Sequence, residues 1–309
     1  MIYTLTLNPA IDRELQVSEF VLHGVMHANS SRINFGGKGI NVSRGLAATC
    51  TKSIALGFAG GTAGEMLTQG MVNLDILTDF VHVSGETRTN FSIVDKTHTQ
   101  FVKVNEPGPT LDSKQYHGLI TKIRKLAHPG DLWALCGSIP PGIPDTIYAN
   151  IVREIQSSGG KALLDTNGSA LIHGCNSDLF LVKPNAAEAS ALTGLKIDSI
   201  EDALNAASSI LQTRVQNVII TQGRQGALLS NQEGTWIAQA PTITKRNDVG
   251  AGDSLMTGII YGLSCNLSWS EILRWGVAFG TATASLEGTT IGSFTLAKQI
   301  LSNVKINTY

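Results

Sequence analysis

The segment from residue 131 to residue 182 contains three short apolar runs, Asp131-Leu-Trp-Ala-Leu-Cys136, Lys161-Ala-Leu-Leu164 and Leu179-Phe-Leu-Val182. Residues 144–157, between the first two runs, carry apolar side chains at helical period. Nearly continuous apolar runs of this length are typical of strands buried on both faces, and a helix between two strands lets them pair in parallel. The segment therefore predicts a parallel sheet covered by helices.

The same alternation extends through the rest of the chain. Further strands are predicted at residues 2–7, 53–58 and 217–221, and shorter ones at 226–230 and 234–237. Helices are predicted at residues 41–49, 65–73, 113–127, 201–212, 253–265, 269–286 and 293–304. Because no internal repeat and no linker rich in Pro or Ser interrupts this order, we expect a single α/β domain over residues 1–309.

Two segments break the alternation. In residues 12–35, Leu15, Val17 and Phe20 suggest a strand, and in residues 88–105 two apolar runs flank a polar turn, which is typical of a β-hairpin. Strands inserted into an α/β chain can form a small second sheet that serves as a lid or as a dimer surface. From these segments alone, a hairpin that only decorates an edge is an equally good interpretation.

The composition excludes several classes of partner. The 309 residues include 23 Lys and Arg against 24 Asp and Glu, a net charge of −1, so no long-range field attracts nucleic acid or an acidic membrane surface. No apolar stretch reaches the roughly 18 residues that a membrane-spanning helix needs, and the N-terminus lacks a basic leader. The widely spaced cysteines, Cys50, Cys136, Cys175 and Cys265, are expected to be reduced thiols. We therefore expect a cytoplasmic protein.

A glycine turn opens the helix predicted at 253–265, and it reads Asp248-Val-Gly-Ala-Gly-Asp-Ser254. The free N–H groups in the first turn of a helix bind anions, and glycine lets an anion approach the backbone closely. Asp253 in this turn has two interpretations. It caps the helix, which is the commoner role of an aspartate there, or it takes a proton from a hydroxyl that attacks a phosphoryl group.

A second glycine-rich turn reads Asn34-Phe-Gly-Gly-Lys-Gly-Ile-Asn-Val42 and enters the helix predicted at 41–49. It is not a Walker A loop, because Gly-x-x-x-x-Gly-Lys-Ser/Thr occurs nowhere in the chain. In this turn Lys38 could hold a phosphate as a point charge, and Asn41 could bond sugar hydroxyls. A solvated lysine in a glycine turn is about as good an interpretation.

A third segment, Leu181-Val-Lys-Pro-Asn-Ala-Ala-Glu188, ends a buried strand and starts a helix. Asn185 and Glu188 share one helical face at the carboxyl end of that strand, where α/β proteins bind ligands. Such a pair suits a hydrated Mg²⁺ beside a triphosphate. Considered locally, however, a capping box between the two residues is the favoured interpretation.

Together these segments resemble the ribokinase or phosphofructokinase-B (PfkB) type of sugar kinase over essentially the whole chain. The six ordered motifs are Thr6-Leu-Asn-Pro-Ala-Ile-Asp12, Gly36-Gly-Lys-Gly-Ile-Asn41, Gly85-Glu-Thr-Arg-Thr-Asn90, Gly137-Ser-Ile-Pro-Pro-Gly142, Lys183-Pro-Asn-Ala-Ala-Glu188 and Asp248-Val-Gly-Ala-Gly-Asp253. The resemblance implies a doubly wound, mostly parallel sheet with helices on both faces and a small β-sheet lid. Segments 12–35 and 88–105 would form the lid.

The resemblance also implies an ATP-dependent phosphotransferase. Asp253 matches the catalytic base of the family. The backbone of Gly250, Ala251 and Gly252 matches the anion hole that stabilises charge on the transferring phosphoryl group. Positioning and electrostatic stabilisation should supply most of the catalysis in such a site.

The residues that match the acceptor site of the family are Asp12, Gly36, Gly37, Lys38, Asn41, Arg88, Asn90 and Ser138. Lys38 and Arg88 look like the pair that, in phosphosugar members, binds the phosphate already present on the acceptor. Because a phosphate dianion favours charge-assisted hydrogen bonds, this pair makes a phosphorylated sugar the expected acceptor.

The residues that match the nucleotide side are Lys183, Asn185, Thr221, Gly223 and Gly226. Asn185 and Glu188 match the family motif that organises Mg²⁺, through water, and the nucleotide phosphates. The sequence departs from the family at Thr221-Gln-Gly223, where Ser-Leu-Gly is usual. Gln222 therefore puts the nucleotide preference in doubt, and ATP is an expectation from the family.

Among ketohexose monophosphates we rank fructose 1-phosphate first, because Arg88-Thr-Asn90 and Asn105-Glu-Pro-Gly-Pro109 resemble the pattern of kinases for that sugar. Tagatose 6-phosphate is second. Fructose 6-phosphate is last, because its minor kinases tend to have glycine in place of Lys38 and lysine in place of Val25.

The lid strands suggest a homodimer. The non-enzymatic alternative is a sugar-phosphate sensor, against which the intact catalytic aspartate argues.

Overall fold

The structure is a computed structural model that describes residues 1–95, 100–246, 249–288 and 290–309. The polar turn predicted within segment 88–105 falls largely outside these residues, as does Asp248 of the glycine turn. The fold class predicted from the sequence is confirmed: a large, mostly parallel sheet carries helices on both faces, and a small second sheet stands apart from it.

The described residues form fifteen strands. They are β1 (Ile2–Thr6), β2 (Ala10–Val17), β3 (Ala28–Gly36), β4 (Ile54–Gly60), β5 (Leu77–Thr78), β6 (Val81–Val83), β7 (Arg88–Asp95), β8 (Gln100–Val104), β9 (Leu132–Cys136), β10 (Lys161–Asp165), β11 (Leu179–Val182), β12 (Val215–Thr221), β13 (Ala227–Asn231), β14 (Gly234–Gln239) and β15 (Lys305–Thr308).

The same residues form ten α-helices and one 3₁₀ turn, Gly223–Gln225. The helices are α1 (Lys38–Ala48), α2 (Gly61–Val72), α3 (Ser113–Leu126), α4 (Ile147–Ser157), α5 (Gly168–Cys175), α6 (Ala186–Thr193), α7 (Ile200–Leu211), α8 (Ala251–Ser264), α9 (Trp269–Ala284) and α10 (Phe294–Leu301).

The main sheet runs in the order β15-β14-β13-β12-β11-β10-β9-β1-β4-β5, with β6 also paired to β4. Its central strands are parallel, and β13 to β15 extend it with antiparallel pairs. From β1 the chain proceeds to β4 on one side, whereas β9 to β12 proceed outward on the other side. The order therefore reverses beside β1, and the carboxyl edge of such a reversal is where α/β sheets bind ligands.

The core forms two layers because successive side chains of a strand point to opposite faces. In β9, Trp133 and Leu135 pack with helices α3 to α7, whereas Leu132 and Ala134 pack with α1, α8 and α9. Full burial of a large apolar side chain stabilises a fold by about 1.5–3 kcal/mol. A strand buried on both faces, as β9 is, therefore fixes the sheet between both helical layers.

The small sheet has the order β3-β2-β7-β8. Strand β2 pairs antiparallel with β3 and parallel with β7, and β7 pairs antiparallel with β8 as the predicted hairpin. The register places Asp12 opposite Asn90, and Ala10 opposite Arg88. Residues that are far apart in the sequence are therefore brought to the same end of this sheet.

Several elements were not predicted. The segment 12–35 contains a second strand, β3, whose first six residues are exposed and carry no apolar alternation, and Phe20 lies outside both strands. Strand β3 forms because β2 supplies an antiparallel ladder along its whole length, with one register shift between Gln16 and Val17. Strands β5, β6 and β15 are two to four residues long and likewise depend on a partner. Among the described residues, no helix is long and apolar enough to cross a membrane.

Candidate active site

The candidate site lies at the carboxyl edge of the main sheet, beside the point where the strand order reverses. The strands that end there are β1, β9, β10 and β11, with last residues Thr6, Cys136, Asp165 and Val182. Helices α1 and α8 begin at this edge, at the N-caps Gly37 and Gly250. Both glycines have positive φ, 119° and 80°, which an ordinary side chain would strain.

Asp253 is a buried residue in the first turn of α8 and does not cap that helix. Instead, its Oδ2 accepts a hydrogen bond of 2.8 Å from Asn41 Nδ2 on α1. The capping interpretation is therefore wrong for this aspartate. Its carboxylate and the first-turn N–H groups of α8 stand together at the mouth of the site, as a base next to an anion hole requires.

The surroundings of Asp253 adjust its acidity. Burial raises its pKa to about 6, and the charge of Asp165 acts in the same direction. The hydrogen bond from Asn41 and the charges of Lys38 and Lys183 oppose that rise. At neutral pH the group is mostly a carboxylate, yet it is a stronger base than an ordinary aspartate, whose pKa is near 3.9.

Asp165 lies beneath the site and joins the two lysines that were assigned to opposite substrates. Its Oδ1 is 2.7 Å from Lys38 Nζ, and its Oδ2 is 2.9 Å from Lys183 Nζ. Asp165 is 1% exposed and Lys183 is 4% exposed. Burial opposes the charge of Lys38, but Asp165 overcomes this effect and raises the lysine pKa. Both lysines in turn lower the pKa of Asp165 against the effect of burial.

Asp165 was not predicted from the sequence. A signal was available, because a carboxylate that directly follows the apolar run Lys161-Ala-Leu-Leu164 must lie at the carboxyl edge of the sheet. Without the structure, however, nothing indicates that it bridges two lysines from different segments.

On the acceptor side, Asp12 is oriented by the small sheet. Its Oδ1 accepts 2.8 Å from Asn90 Nδ2, across the register of β2 and β7. A Cβ on Gly36 would lie 2.1 Å from Asp12 Oδ2, so any other residue there would displace the Asp12 carboxylate from this position. Asn90 Oδ1 is buried and unpartnered within the described residues, which leaves an acceptor available for a hydroxyl.

Within the part of the chain that the structure describes, Arg88 donates to two backbone carbonyls, at 2.9 Å to Asn8 O and 3.2 Å to Glu106 O. Its Nε is buried and has no partner among the described residues. Burial lowers the guanidinium pKa, and the negative charge of Asp12 opposes this effect. Because no carboxylate of the described residues forms an ion pair with this guanidinium, it retains capacity for an anionic ligand.

The loop after β9 borders the same edge. A Cβ on Gly137, which has a φ of 94°, would lie 4.0 Å from Lys38 Cβ. Ser138, the next residue, is exposed. The structure thus places the predicted phosphate or hydroxyl contact in the loop that flanks Lys38.

On the nucleotide side, Asn185 and Glu188 form the capping box that local considerations favoured. Glu188 N donates to Asn185 Oδ1, and Asn185 N donates to Glu188 Oε2, both at 2.9 Å. Asn185 forms a β-bridge with Thr221, and the two residues line a cavity of about 260 Å³ together with Gln222 and Gly223. Gly226 closes the turn below with a φ of 100°; a Cβ there would lie 2.0 Å from Ala238 O.

The donor set of this region fits a hydrated Mg²⁺. Glu188 uses one oxygen in the capping box, and its Oε1 is free of protein partners among the described residues. Its charge nevertheless reaches Lys38. No group of three or more His, Cys, Asp or Glu in the described part of the chain could hold a metal directly. Mg²⁺ takes oxygen ligands and retains several waters, so it needs only one or two protein carboxylates and the phosphates of the nucleotide.

The predicted residues thus fall into three adjoining groups. Asp12, Asn90 and Arg88 meet on the small sheet; Asn41, Asp253 and Lys38 meet at the helix N-termini; Asn185, Thr221 and Gly223 surround the cavity. A buried carboxylate at a helix N-terminus, with cationic side chains nearby, is an arrangement suited to the transfer of a phosphoryl group.

Comparison with known proteins agrees with this assignment. The model of the pfkB family of carbohydrate kinases matches residues 5–295. The chain is 34% identical to 1-phosphofructokinase of Bacillus subtilis over 306 residues, 99% of each chain. It is 31% identical to tagatose-6-phosphate kinase of Staphylococcus epidermidis over 92% of each chain. The crystal structure of phosphofructokinase-2 from Escherichia coli superposes with a TM-score of 0.93 at 28% identity, covering 98% of both chains.

The chain belongs to the pfkB family of carbohydrate kinases. The family resemblance seen in the six motifs is therefore confirmed, and with it the expectation of an enzyme that transfers a phosphoryl group to a phosphorylated sugar.

Proposed function

We propose that the protein transfers the γ-phosphoryl group of ATP to the C6 hydroxyl of fructose 1-phosphate, giving fructose 1,6-bisphosphate and ADP. The observation that carries the proposal is the placement of Asp253. It is buried at the N-terminus of α8, held by Asn41, and next to two lysines that share Asp165.

In this mechanism Asp253 accepts the proton of the attacking hydroxyl as its oxygen bonds to the γ-phosphorus and the bond to the ADP oxygen breaks. The first-turn N–H groups at Gly250 to Gly252 stabilise the charge on the moving phosphoryl group. Lys183 approaches the same place, since a Cβ on Gly252 would lie 3.6 Å from its Nζ. Mg²⁺, held through Glu188 and Asn185 by way of water, would neutralise charge on the nucleotide phosphates.

Recognition of the acceptor is divided between polar and charged side chains. Asp12 and Asn90 bond sugar hydroxyls, and Gly36 and Gly37 let the ring approach the backbone. Lys38, Arg88 and Ser138 hold the phosphate already on the sugar. A dianion next to a guanidinium and an ammonium gains charge-assisted hydrogen bonds, each worth roughly 1.5–3 kcal/mol. This requirement supports a phosphorylated acceptor over a neutral one.

The relatives support a ketohexose monophosphate. One of them is named 1-phosphofructokinase and another is named tagatose-6-phosphate kinase. Tagatose 6-phosphate is the alternative acceptor, and fructose 6-phosphate ranks behind it. The nucleotide proposal is ATP, whose base would enter the cavity beside Thr221, Gln222 and Gly223, over the turn that ends at Gly226.

Replacement of Asp253 tests the proposal. We expect Asp253→Ala to lower kcat by roughly 10²–10⁴-fold and to leave acceptor binding nearly unchanged, because a general base acts on the transition state. The measurement is ADP release together with calorimetric binding of fructose 1-phosphate. Full activity of the variant would show that another group is the base. Binding by the wild-type protein without any turnover would instead favour the sugar-phosphate sensor.

A homodimer formed through the small sheet is part of the proposal. The sheet leaves large apolar side chains exposed: Phe101 is 70% exposed, Val104 57% and Ile33 43%. A second copy of the chain would bury them. Phe101→Asp should shift the protein to the monomer in analytical ultracentrifugation, whereas Leu77→Asp, on the far edge of the main sheet, should not. A monomeric wild-type protein would contradict the dimer.

The proposed location is the cytoplasm. All four cysteines are free thiols in the structure, with Cys50 and Cys265 exposed, a state that persists in reducing compartments.

A further inference from the structure

Arg44 lies on α1 one turn after Asn41, on the same face of the helix. Its Nη1 donates to two acceptors, Asn41 Oδ1 at 3.3 Å and Phe35 O at 3.4 Å. Phe35 stands near the end of β3, where the small sheet joins the core. The guanidinium therefore connects the base of the small sheet to the amide that contacts Asp253.

This contact settles which way the Asn41 amide points. An amide has one acceptor end and one donor end, whereas a guanidinium carries donors only. With Arg44 on one side, the oxygen of Asn41 faces the guanidinium and its NH₂ group faces Asp253, 2.8 Å from Oδ2. The opposite orientation would place the amide oxygen of Asn41 against the Asp253 carboxylate. Neither the carboxylate nor the amide oxygen would then receive a hydrogen bond from its neighbour.

The position of Arg44 is itself well defined. The ring of Phe35 packs so closely on α2 that a Cβ on Gly70 would lie 1.9 Å from it, so the Phe35 carbonyl is a fixed acceptor. Arg44 is half-buried, and no carboxylate of the described residues forms an ion pair with it. Burial lowers the pKa of Arg44, and the negative charge of Asp12 on the small sheet opposes this effect. Neutralising a carboxylate is thus not its role.

We propose that Arg44 is a positioning residue for phosphoryl transfer: by holding the Asn41 amide against the Phe35 carbonyl, it keeps the donor end of Asn41 on the Asp253 carboxylate. The inference rests on the proposed function of Asp253 as the base. It assigns to Arg44 no contact with either substrate, and its effect on the reaction passes entirely through Asn41.

A double-mutant cycle tests this dependence. Asn41→Ala should lower kcat roughly 10–100-fold and Arg44→Met roughly 5–20-fold, as expected when a reacting group is misplaced. The double variant should be within about twofold of Asn41→Ala alone, because Arg44 has nothing left to orient. If the two losses multiply, Arg44 acts independently of Asn41 and the inference is overturned. Unaltered kcat in Arg44→Met would also overturn it.

Two further variants separate positioning from stability. Arg44→Lys should recover part of the lost kcat, because an ammonium can still donate to Asn41 Oδ1. Arg153→Met, on the exposed face of α4, removes a guanidinium far from the site and should leave kcat and Tm unchanged. A Lys variant no better than Met, at equal Tm, would contradict the donor role.

A measurement that needs no turnover distinguishes this inference from the proposed function. The groups that face Asp253 are Asn41 and Lys38 from α1, Asp165 from β10 and Lys183 after β11. Since the Asn41 hydrogen bond lowers the pKa of Asp253, Arg44→Met should raise that pKa toward its value in Asn41→Ala, measured by ¹³C NMR. An unchanged pKa would refute the positioning role. Absence of turnover in the wild-type protein would refute the proposed function alone.

Discussion

Asp165→Asn removes the charge that two lysines share, and the structure sets the size of the effect. Asp165 and Lys183 are 1% and 4% exposed and lie 2.9 Å apart, so the variant leaves a buried ammonium without its counter-charge. Removing one partner of a buried ion pair destabilises a protein by about 3–5 kcal/mol. The contact with Lys38 adds less, because that side chain is 34% exposed. Asparagine keeps one acceptor for one lysine, but its NH₂ group then faces the other.

The assay is chemical and thermal unfolding of Asp165→Asn and the wild-type protein at pH 7. At about 2 °C per kcal/mol, the low end for a chain of this size, Tm should fall by roughly 6–10 °C. The matched control is Asp178→Asn, which removes an equally close but exposed pair with Arg214 at 2.7 Å and should cost less than about 1 kcal/mol. If Asp165→Asn were no less stable than this control, the buried ion pairs of Asp165 with Lys38 and Lys183 would not stabilise the fold.

The pH dependence gives the same variant a second test. The folded-state pKa of Asp165 is lowered, so its stabilisation is present above the unfolded pKa, near 3.9, and is lost as pH falls through the folded value. The stability difference from the variant should therefore vanish in strong acid. Since the charge of Asp165 raises the pKa of Asp253, the acid limb of the kcat profile should also move to lower pH in the variant.

Four other variants probe the rest of the site. Asp253→Asn should stabilise the protein by about 1–3 kcal/mol above pH 6 and not at all below about pH 4, because a raised carboxylate pKa opposes folding only where the group ionises. Unfolding of both proteins at pH 8 and at pH 4 measures this stability difference. If Asp253 titrates normally, the difference should be zero at both pH values. Gly252→Ala should lower kcat at least tenfold without changing Tm, because the added Cβ lies at an ordinary 3.6 Å from Lys183 Nζ but fills the anion hole. Gly118→Ala is the control. Full activity of Gly252→Ala would place the phosphoryl group elsewhere. Lys38→Ala and Arg88→Ala should each raise KM for the phosphorylated sugar about tenfold or more with little change in KM for ATP; unchanged sugar KM in both would refute the phosphate assignment.

The sheet was predictable because its central strands are nearly continuous apolar runs, such as Leu132–Cys136, which can only be buried on both faces. Strand β3 was not, because its exposed residues carry no period and it forms only against β2. The C-terminal strand β15 is similar: it is a mostly exposed four-residue segment that pairs with β14. Edge strands are specified by their neighbours more than by their own side chains.

The site shows the same division. Asp253 and Asn41 could be named because glycine turns at helix starts have a recognisable pattern, but local pattern alone favoured a cap for Asp253, and the bond to Asn41 spans 212 positions of sequence. Asp165 and Arg44 act through contacts that join separate elements, so no local signal identifies their partners. For Asn185 and Glu188 the local interpretation was correct: the capping box forms, and their role toward Mg²⁺ stays a prediction.

The site around Asp253 is proposed to transfer a phosphoryl group to a phosphorylated ketohexose. The most direct measurement is ADP release from ATP by the wild-type protein with fructose 1-phosphate, tagatose 6-phosphate and fructose 6-phosphate in parallel, each repeated with Asp253→Ala. We expect turnover with the highest kcat/KM for fructose 1-phosphate, and a loss of roughly 10²-fold or more in the variant. Release of no ADP with any of the three sugars would contradict this proposal.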